Sequence, residues 1–138
     1  MKRLLLEDDE FRTIESIAKY TQKEFYLQHP WTIVRTFDQF KEYILTQGLP
    51  DIISFDHDLY ITDKTESTGR DCAKWLLEYC LTNNMIPPKV YIHSMNTVGA
   101  KNIKSLFTTF FKVYPELDNH HPINDVEYNF DLDFFIYT

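Results

Sequence analysis

Four short apolar runs, separated by segments with helical periodicity, constrain the fold of this 138-residue chain most strongly. The runs cover residues 2–6, 31–35, 51–55 and 89–92. Strands that alternate with helices through short connections form parallel sheets with right-handed crossovers. The sequence therefore predicts one α/β domain spanning residues 1–138. Its predicted core is a doubly wound, mostly parallel five-stranded sheet of order 2-1-3-4-5.

The segments between the runs predict helices, because their apolar residues recur at intervals of three and four. These segments cover residues 10–28, 38–47, 68–82 and 96–111. We expect Asp38 to cap the second helix, and Gly48 and Pro50 to end it. Residues 126–136 instead alternate apolar and polar side chains, which predicts an edge strand or hairpin at the C-terminal end.

Composition and charge narrow the class of protein. The chain is 43% hydrophobic and 16% aromatic, so it can fill a core without disulfides or structural metals. The formal net charge of -7 argues against duplex DNA as a partner, because such proteins carry a basic surface. A small phosphorylated ligand remains compatible with this charge, since a bound metal ion reverses the local field.

The two cysteines and the apolar segments predict a cytoplasmic protein. Cys72 and Cys80 fall in one predicted helix without a metal-binding or disulfide pattern, so we expect two reduced core thiols. The apolar run at the N-terminus is too short for a signal peptide, and no stretch reaches the length of a membrane span.

Polar clusters follow the first, third and fourth predicted strands at the points where those strands end. Open α/β sheets bind ligands at the edge where the carboxyl ends of parallel strands meet, so we expect the clusters to share one crevice. Carboxylates and imidazoles in this position predict a site for a phosphate and a divalent cation. The clusters are Glu7-Asp8-Asp9, Asp56-His57-Asp58 and His93-Ser94-Met95-Asn96.

The carboxylates of these clusters are candidate ligands for Mg²⁺ or Mn²⁺. Such hard cations take oxygen ligands and keep several waters. The first cluster has a structural alternative, because acidic side chains are favourable at a helix N-terminus. A zinc site built from His57, His93 and an aspartate is another alternative, although the spacing lacks a zinc motif. The predicted ligands are Asp8, Asp9, Asp56 and Asp58, with Glu7 as a further candidate.

Two histidines at neighbouring strand ends predict acid–base chemistry. His57 and His93 each follow a buried strand, and imidazoles titrate near neutral pH. One can act as general base and the other as general acid in the opening of a cyclic phosphodiester. With Asp56 they are the predicted catalytic residues. The structural alternative for either histidine is a hydrogen-bonded core position.

A phosphate-binding segment is predicted at the start of the fourth helix. Free amides at a helix N-terminus favour an anion, and Gly99 lets the backbone approach it closely. A plain N-cap role for Asn96 and a solvated role for Arg70 are the alternatives, and Lys101 is a second candidate cation. The predicted phosphate ligands are Ser94, Asn96, Gly99, Asn102 and Arg70.

Asp8 and Asp9 after the first strand, Asp56 after the third and Ser94 after the fourth resemble the receiver domains of two-component response regulators. That resemblance implies a flavodoxin-like fold, Mg²⁺ binding, phosphoryl transfer to Asp56 and a hydroxyl that relays the change. The chain departs from the pattern, because a Lys-Pro pair after a fifth strand is not evident. His57, His93 and Asn96 are also not part of the signalling pattern.

The combined motifs are more similar to a divergent branch, the cyclic-phosphate-processing receiver-like family, over roughly the first 110 residues. These motifs are Leu6-Glu7-Asp8-Asp9 with Arg12, Ser54-Phe55-Asp56-His57-Asp58-Leu59, Gly69-Arg70-Asp71, and His93-Ser94-Met95-Asn96 with Gly99 and Asn102. Bacteria and their phages carry this family. The resemblance implies a phosphoesterase acting on a cyclic phosphate of a nucleotide or an RNA end. A signalling receiver and a module that binds cyclic nucleotides without turnover are the alternatives.

Overall fold

A parallel sheet forms the centre of the computed structural model, which describes residues 1–7, 14–21, 24–27, 30–56, 69–93 and 97–125. The order along the sheet is β2-β1-β3-β4-β5, and every pairing is parallel. The strands are Arg3–Leu6 (β1), Thr32–Val34 (β2), Ile52–Phe55 (β3), Lys89–Ile92 (β4) and the two-residue Asn124–Asp125 (β5).

Helices cover both faces of the sheet. In the described residues they are Ile14–Thr21 (α1), Phe37–Gln47 (α2), Gly69–Thr82 (α3) and Thr97–Val113 (α4), with 3-10 turns at Glu24–Leu27 and Pro115–Leu117. None of these helices combines the length and the apolarity that crossing a membrane requires.

The predicted α/β class and parallel sheet are confirmed, and three details need correction: the first helix, the last strand and the N-cap of α2. The α-helix predicted over residues 10–28 is wrong at Glu24–Leu27, which form a 3-10 turn, and α1 covers Ile14–Thr21 in the described residues. The predicted five-stranded sheet has four strands of three or four residues, and its fifth strand, β5, has only two residues. The strand predicted over residues 126–136 lies outside the described residues.

The predicted N-cap of α2 is wrong. Thr36, not Asp38, is the N-cap: its backbone is extended, and its hydroxyl accepts a hydrogen bond from the Gln39 amide at 3.1 Å. Asp38 lies in the first turn, where it forms an exposed pair with Lys41 at 3.6 Å. The predicted end of the helix is confirmed, because Gly48 adopts a φ of 84° and donates its N–H to the Ile44 carbonyl.

Replacing the cap and its neighbour separates their roles. We expect Thr36→Ala to lower the free energy of unfolding by about 1 kcal/mol, because an amide of the first turn loses its acceptor. Asp38→Ala should cost only about 0.3–0.5 kcal/mol, since an exposed ion pair is screened by solvent. Urea denaturation of both variants measures the difference, and a larger loss for Asp38→Ala would contradict the assignment.

Among the described residues, the sheet divides the core into two parts of different size. The larger part packs α2, α3 and α4 against the sheet, with Phe55 between Phe40 and Phe107 at centroid distances of 6.0 and 5.8 Å. The smaller part lies on the opposite face, under α1 and the turn Glu24–Leu27. Alternation along β1 produces this division, because Leu4 and Leu6 face the larger part and Leu5 the smaller.

The thiols of α3 lie in the larger core. Cys72 and Cys80 are both free and fully buried, and burial raises the pKa of both thiols, that of Cys80 to about 12. The thiolate is the reactive form, so the folded protein should resist alkylation. We expect iodoacetamide at pH 8 to leave the native protein unmodified and to alkylate both cysteines in urea. Intact-mass spectrometry measures this, and stoichiometric alkylation without urea would contradict the buried placement.

Candidate functional site at the carboxyl edge of the sheet

Three polar side chains occupy equivalent positions on neighbouring strands. Glu7, Asp56 and His93 are the first residues after β1, β3 and β4. The last residues of these strands pair in register, and the amide of Asp56 donates to the Leu6 carbonyl at 3.0 Å. The amide of His93 donates in the same way to the Phe55 carbonyl at 2.9 Å. The register therefore brings the three residues into one row.

Because side chains alternate between the two faces of a sheet, this row lies on the face that carries the smaller core. Leu6, Phe55 and Ile92 belong to the larger core, so the residues that follow them point to the opposite side. Glu7 and His93 have no exposed surface, and 4% of Asp56 is exposed. Buried polar groups are costly unless they find hydrogen-bond partners, so this row requires a connected polar network.

A chain of hydrogen bonds runs through the row from the 3-10 turn Glu24–Leu27. The Tyr26 hydroxyl lies 2.7 Å from Ser54 Oγ, which lies 2.7 Å from His93 Nδ1. On the other side of the ring, His93 Nε2 lies 2.8 Å from Glu7 Oε2. All four side chains are fully buried. Each is thus held in a network that solvent does not reach.

Backbone contacts fix both ends of this chain. Trp31 stacks on Tyr26 at a centroid distance of 5.4 Å and donates its indole N–H to the Tyr26 carbonyl at 3.0 Å. At the other end, the amide of Glu7 donates to the Val34 carbonyl, and the Arg35 guanidinium donates to the Glu7 carbonyl at 3.1 Å. Burial raises the pKa of Tyr26, so its hydroxyl is protonated near neutral pH.

The row could hold a metal ion. Glu7, Asp56 and His93 each offer one ligand atom, and these atoms lie within 4.8 Å of one another. Carboxylate oxygens are ligands that hard divalent cations take in proteins. His93 is not a metal ligand while this hydrogen-bond network is intact, because both of its ring nitrogens are engaged in hydrogen bonds.

The other predicted site residues that the structure describes lie on α3 and α4. Gly99 is buried in the first turn of α4. Arg70 and Asn102 line a groove of about 520 Å³ between these two helices, on the larger-core side of the sheet. The row of buried residues lies on the other side. Six predicted residues fall outside the described residues: Asp8, Asp9, His57, Asp58, Ser94 and Asn96.

Ser54 and Tyr26 support the row but are not among the predicted site residues. Glu7 is predicted only as a further metal candidate beside Asp8 and Asp9. Ser54 carries a usable signal, since it is the one polar residue of the buried strand Ile52–Phe55. Tyr26 carries none, because its role depends on where the turn Glu24–Leu27 meets the sheet.

Residues 2–109 match the family model of the Cyclic-phosphate processing Receiver domain. The chain belongs to this family. One similar solved structure is a yeast Spc42 trimeric coiled-coil segment fused to another structure, with 16% identity and a TM-score of 0.45. That alignment covers 84% of this chain and 76% of the other, and a similarity at this level supports no inference about function. No curated protein sequence matches this chain.

Removing the Ser54 hydroxyl, at the centre of the hydrogen-bond chain, should lower the free energy of unfolding. Ser54→Ala leaves both Tyr26 and His93 without a shared partner, so we expect a loss of about 1–3 kcal/mol in the free energy of unfolding. Thr46→Ala is the matched control, because that exposed hydroxyl donates back to carbonyls of its own helix, those of Glu42 and Tyr43. Urea denaturation measures both, and equal losses would contradict the network.

Proposed function

We propose that this chain is a metal-assisted phosphoesterase that opens the cyclic phosphate of a nucleotide or an RNA end. One observation carries the proposal: two buried carboxylates, Glu7 and Asp56, lie in one row at the carboxyl edge of a sheet in a cyclic-phosphate processing family. That edge is where open α/β folds bind their ligands. Carboxylates kept inside the protein in this position are better explained by a cation than by stability alone.

Mg²⁺ or Mn²⁺ is the proposed cofactor, held by Glu7 and Asp56. A bound divalent ion supplies Lewis-acid polarisation of the phosphate and a more acidic water. The sequence adds Asp8, Asp9 and Asp58 as ligands. Asp8 directly follows Glu7, whereas Asp9 and Asp58 each lie two residues after one of the two described carboxylates. Asp56 thereby stays the central residue of the site, because it belongs to both the metal ligands and the predicted catalytic set.

The proposed reaction is hydrolysis of one ester bond. Water adds to phosphorus, the bond from phosphorus to one ribose oxygen breaks, and the leaving oxygen takes up the proton that water gives up. We assign proton transfer to His57, which follows Asp56 directly. Ser94, Asn96 and the amides near Gly99 are assigned to the phosphate oxygens, because the start of a helix favours an anion.

Phosphorus NMR with 2′,3′-cyclic and 3′,5′-cyclic nucleotides tests the proposal. We expect conversion to a monoester with Mg²⁺ or Mn²⁺ and none with EDTA. His57→Ala should slow turnover by roughly 10²–10⁴-fold, the usual contribution of an acid–base group. Asp56→Asn should abolish turnover, because the metal loses a ligand. Asp51→Asn is the matched control, since this exposed carboxylate immediately precedes the same strand, at its opposite end.

Two other outcomes would replace the proposal. Ligand resonances that shift without turnover indicate a module that sequesters cyclic nucleotides. No shift, combined with a conformational response to beryllofluoride that Asp56→Asn removes, indicates a phosphoacceptor receiver, as the position of Asp56 after β3 also allows. Turnover that survives both EDTA and Asp56→Asn would overturn the metal-assisted mechanism.

A further inference from the structure

We infer that His93, together with Ser54 and Tyr26, is a positioning residue that orients the Glu7 carboxylate for metal binding. This inference rests on the proposed function, because it concerns the same metal. It changes the role that the sequence predicts for His93, from proton transfer with the substrate to control of a ligand. The residues that carry it lie in the described part of the chain.

The surroundings of His93 argue against direct proton transfer. A general acid or base must reach the reacting atom directly or through one water. His93 has no exposed surface, and its two ring nitrogens are occupied at 2.7 and 2.8 Å by Ser54 and Glu7. Its ring also contacts the Tyr26 ring edge-on at a centroid distance of 6.2 Å. The imidazole is therefore packed inside the smaller core.

With Glu7 ionised and His93 neutral, the four groups allow the hydrogen-bond chain only one direction. An ionised carboxylate only accepts hydrogen bonds, so the bond to Glu7 requires a proton on His93 Nε2. A neutral imidazole then accepts at Nδ1, which makes Ser54 the donor to His93. The Ser54 oxygen in turn accepts from Tyr26, whose pKa is raised by burial and whose hydroxyl keeps its proton. Every bond of the chain thus points toward Glu7.

This directed chain fixes the Glu7 carboxylate beside Asp56. Holding Oε2 at 2.8 Å restrains the rotation of the carboxylate, and the anchors of Tyr26 and of the Glu7 backbone restrain the two ends. A metal ion then binds a carboxylate that is already oriented. Partners that orient metal ligands in this way typically contribute 10–100-fold to metal affinity.

Mn²⁺ binding, followed by electron paramagnetic resonance without substrate, tests the inference separately from catalysis. We expect His93→Gln to weaken Mn²⁺ binding by about 10–100-fold, with smaller losses for Ser54→Ala and Tyr26→Phe. Val90→Ala is the matched control, because it removes buried atoms from the other face of β4. It should lower stability and leave Mn²⁺ affinity unchanged.

The possible failures are distinguishable. One result would overturn the inference and leave the proposed function standing. In it, Asp56→Asn abolishes Mn²⁺ binding, while His93→Gln, Ser54→Ala and Tyr26→Phe keep a Mn²⁺ affinity within twofold of wild type. If wild type binds no Mn²⁺, the inference is overturned as well, and turnover in EDTA decides whether a metal-free phosphoesterase remains.

Nitrogen-15 NMR of labelled histidine supplies a readout that stability alone does not move. We expect His93 to carry its proton on Nε2 in wild type, with Nδ1 in the chemical-shift range of an unprotonated acceptor. Ser54→Ala should shift the Nδ1 resonance, because it removes the donor. A neutral His93 with its proton on Nδ1 would reverse the direction of the chain and overturn the inference.

Discussion

The hydrogen bond between His93 and Glu7 is the contact on which the polar side of this structure depends. It joins residues 86 positions apart, at the ends of β4 and β1, across the intervening strand β3. Both side chains are fully buried, so neither can exchange its partner for water. A buried charged group left alone costs several kcal/mol, so breaking this network lowers the stability of the fold.

The sheet makes that bond possible by dividing its two faces between stability and chemistry. On one face, α2, α3 and α4 bury an apolar core that includes Phe40, Phe55 and Phe107. The other face has a small apolar cluster, and its space near the carboxyl edge holds Glu7, Asp56 and His93. Because the larger core supplies most of the apolar burial among the described residues, the second face can accommodate polar groups that lower stability.

Much of the fold could be predicted because its signals are local. Strand β4 was predicted with its observed limits, and Gly48 ends α2 as its conformational freedom predicts. The cap of the same helix was wrong, because Thr36 and Asp38 are both suitable cap residues and only the observed backbone geometry selects Thr36. The first helix was predicted to continue through residues 24–27, since apolar spacing alone does not distinguish an α-helix from the 3-10 turn at Glu24–Leu27.

By itself, the sequence determined the α/β class, the parallel sheet and the placement of Asp56 and His93 at strand ends, because periodicity and strand boundaries are written in neighbouring residues. Only the tertiary structure decided that Glu7 completes the row and that His93 is buried with both nitrogens bonded. It also decided that Tyr26 and Ser54 support that histidine. These contacts depend on strand register and on how a turn packs on the sheet, and they join residues that no local pattern relates.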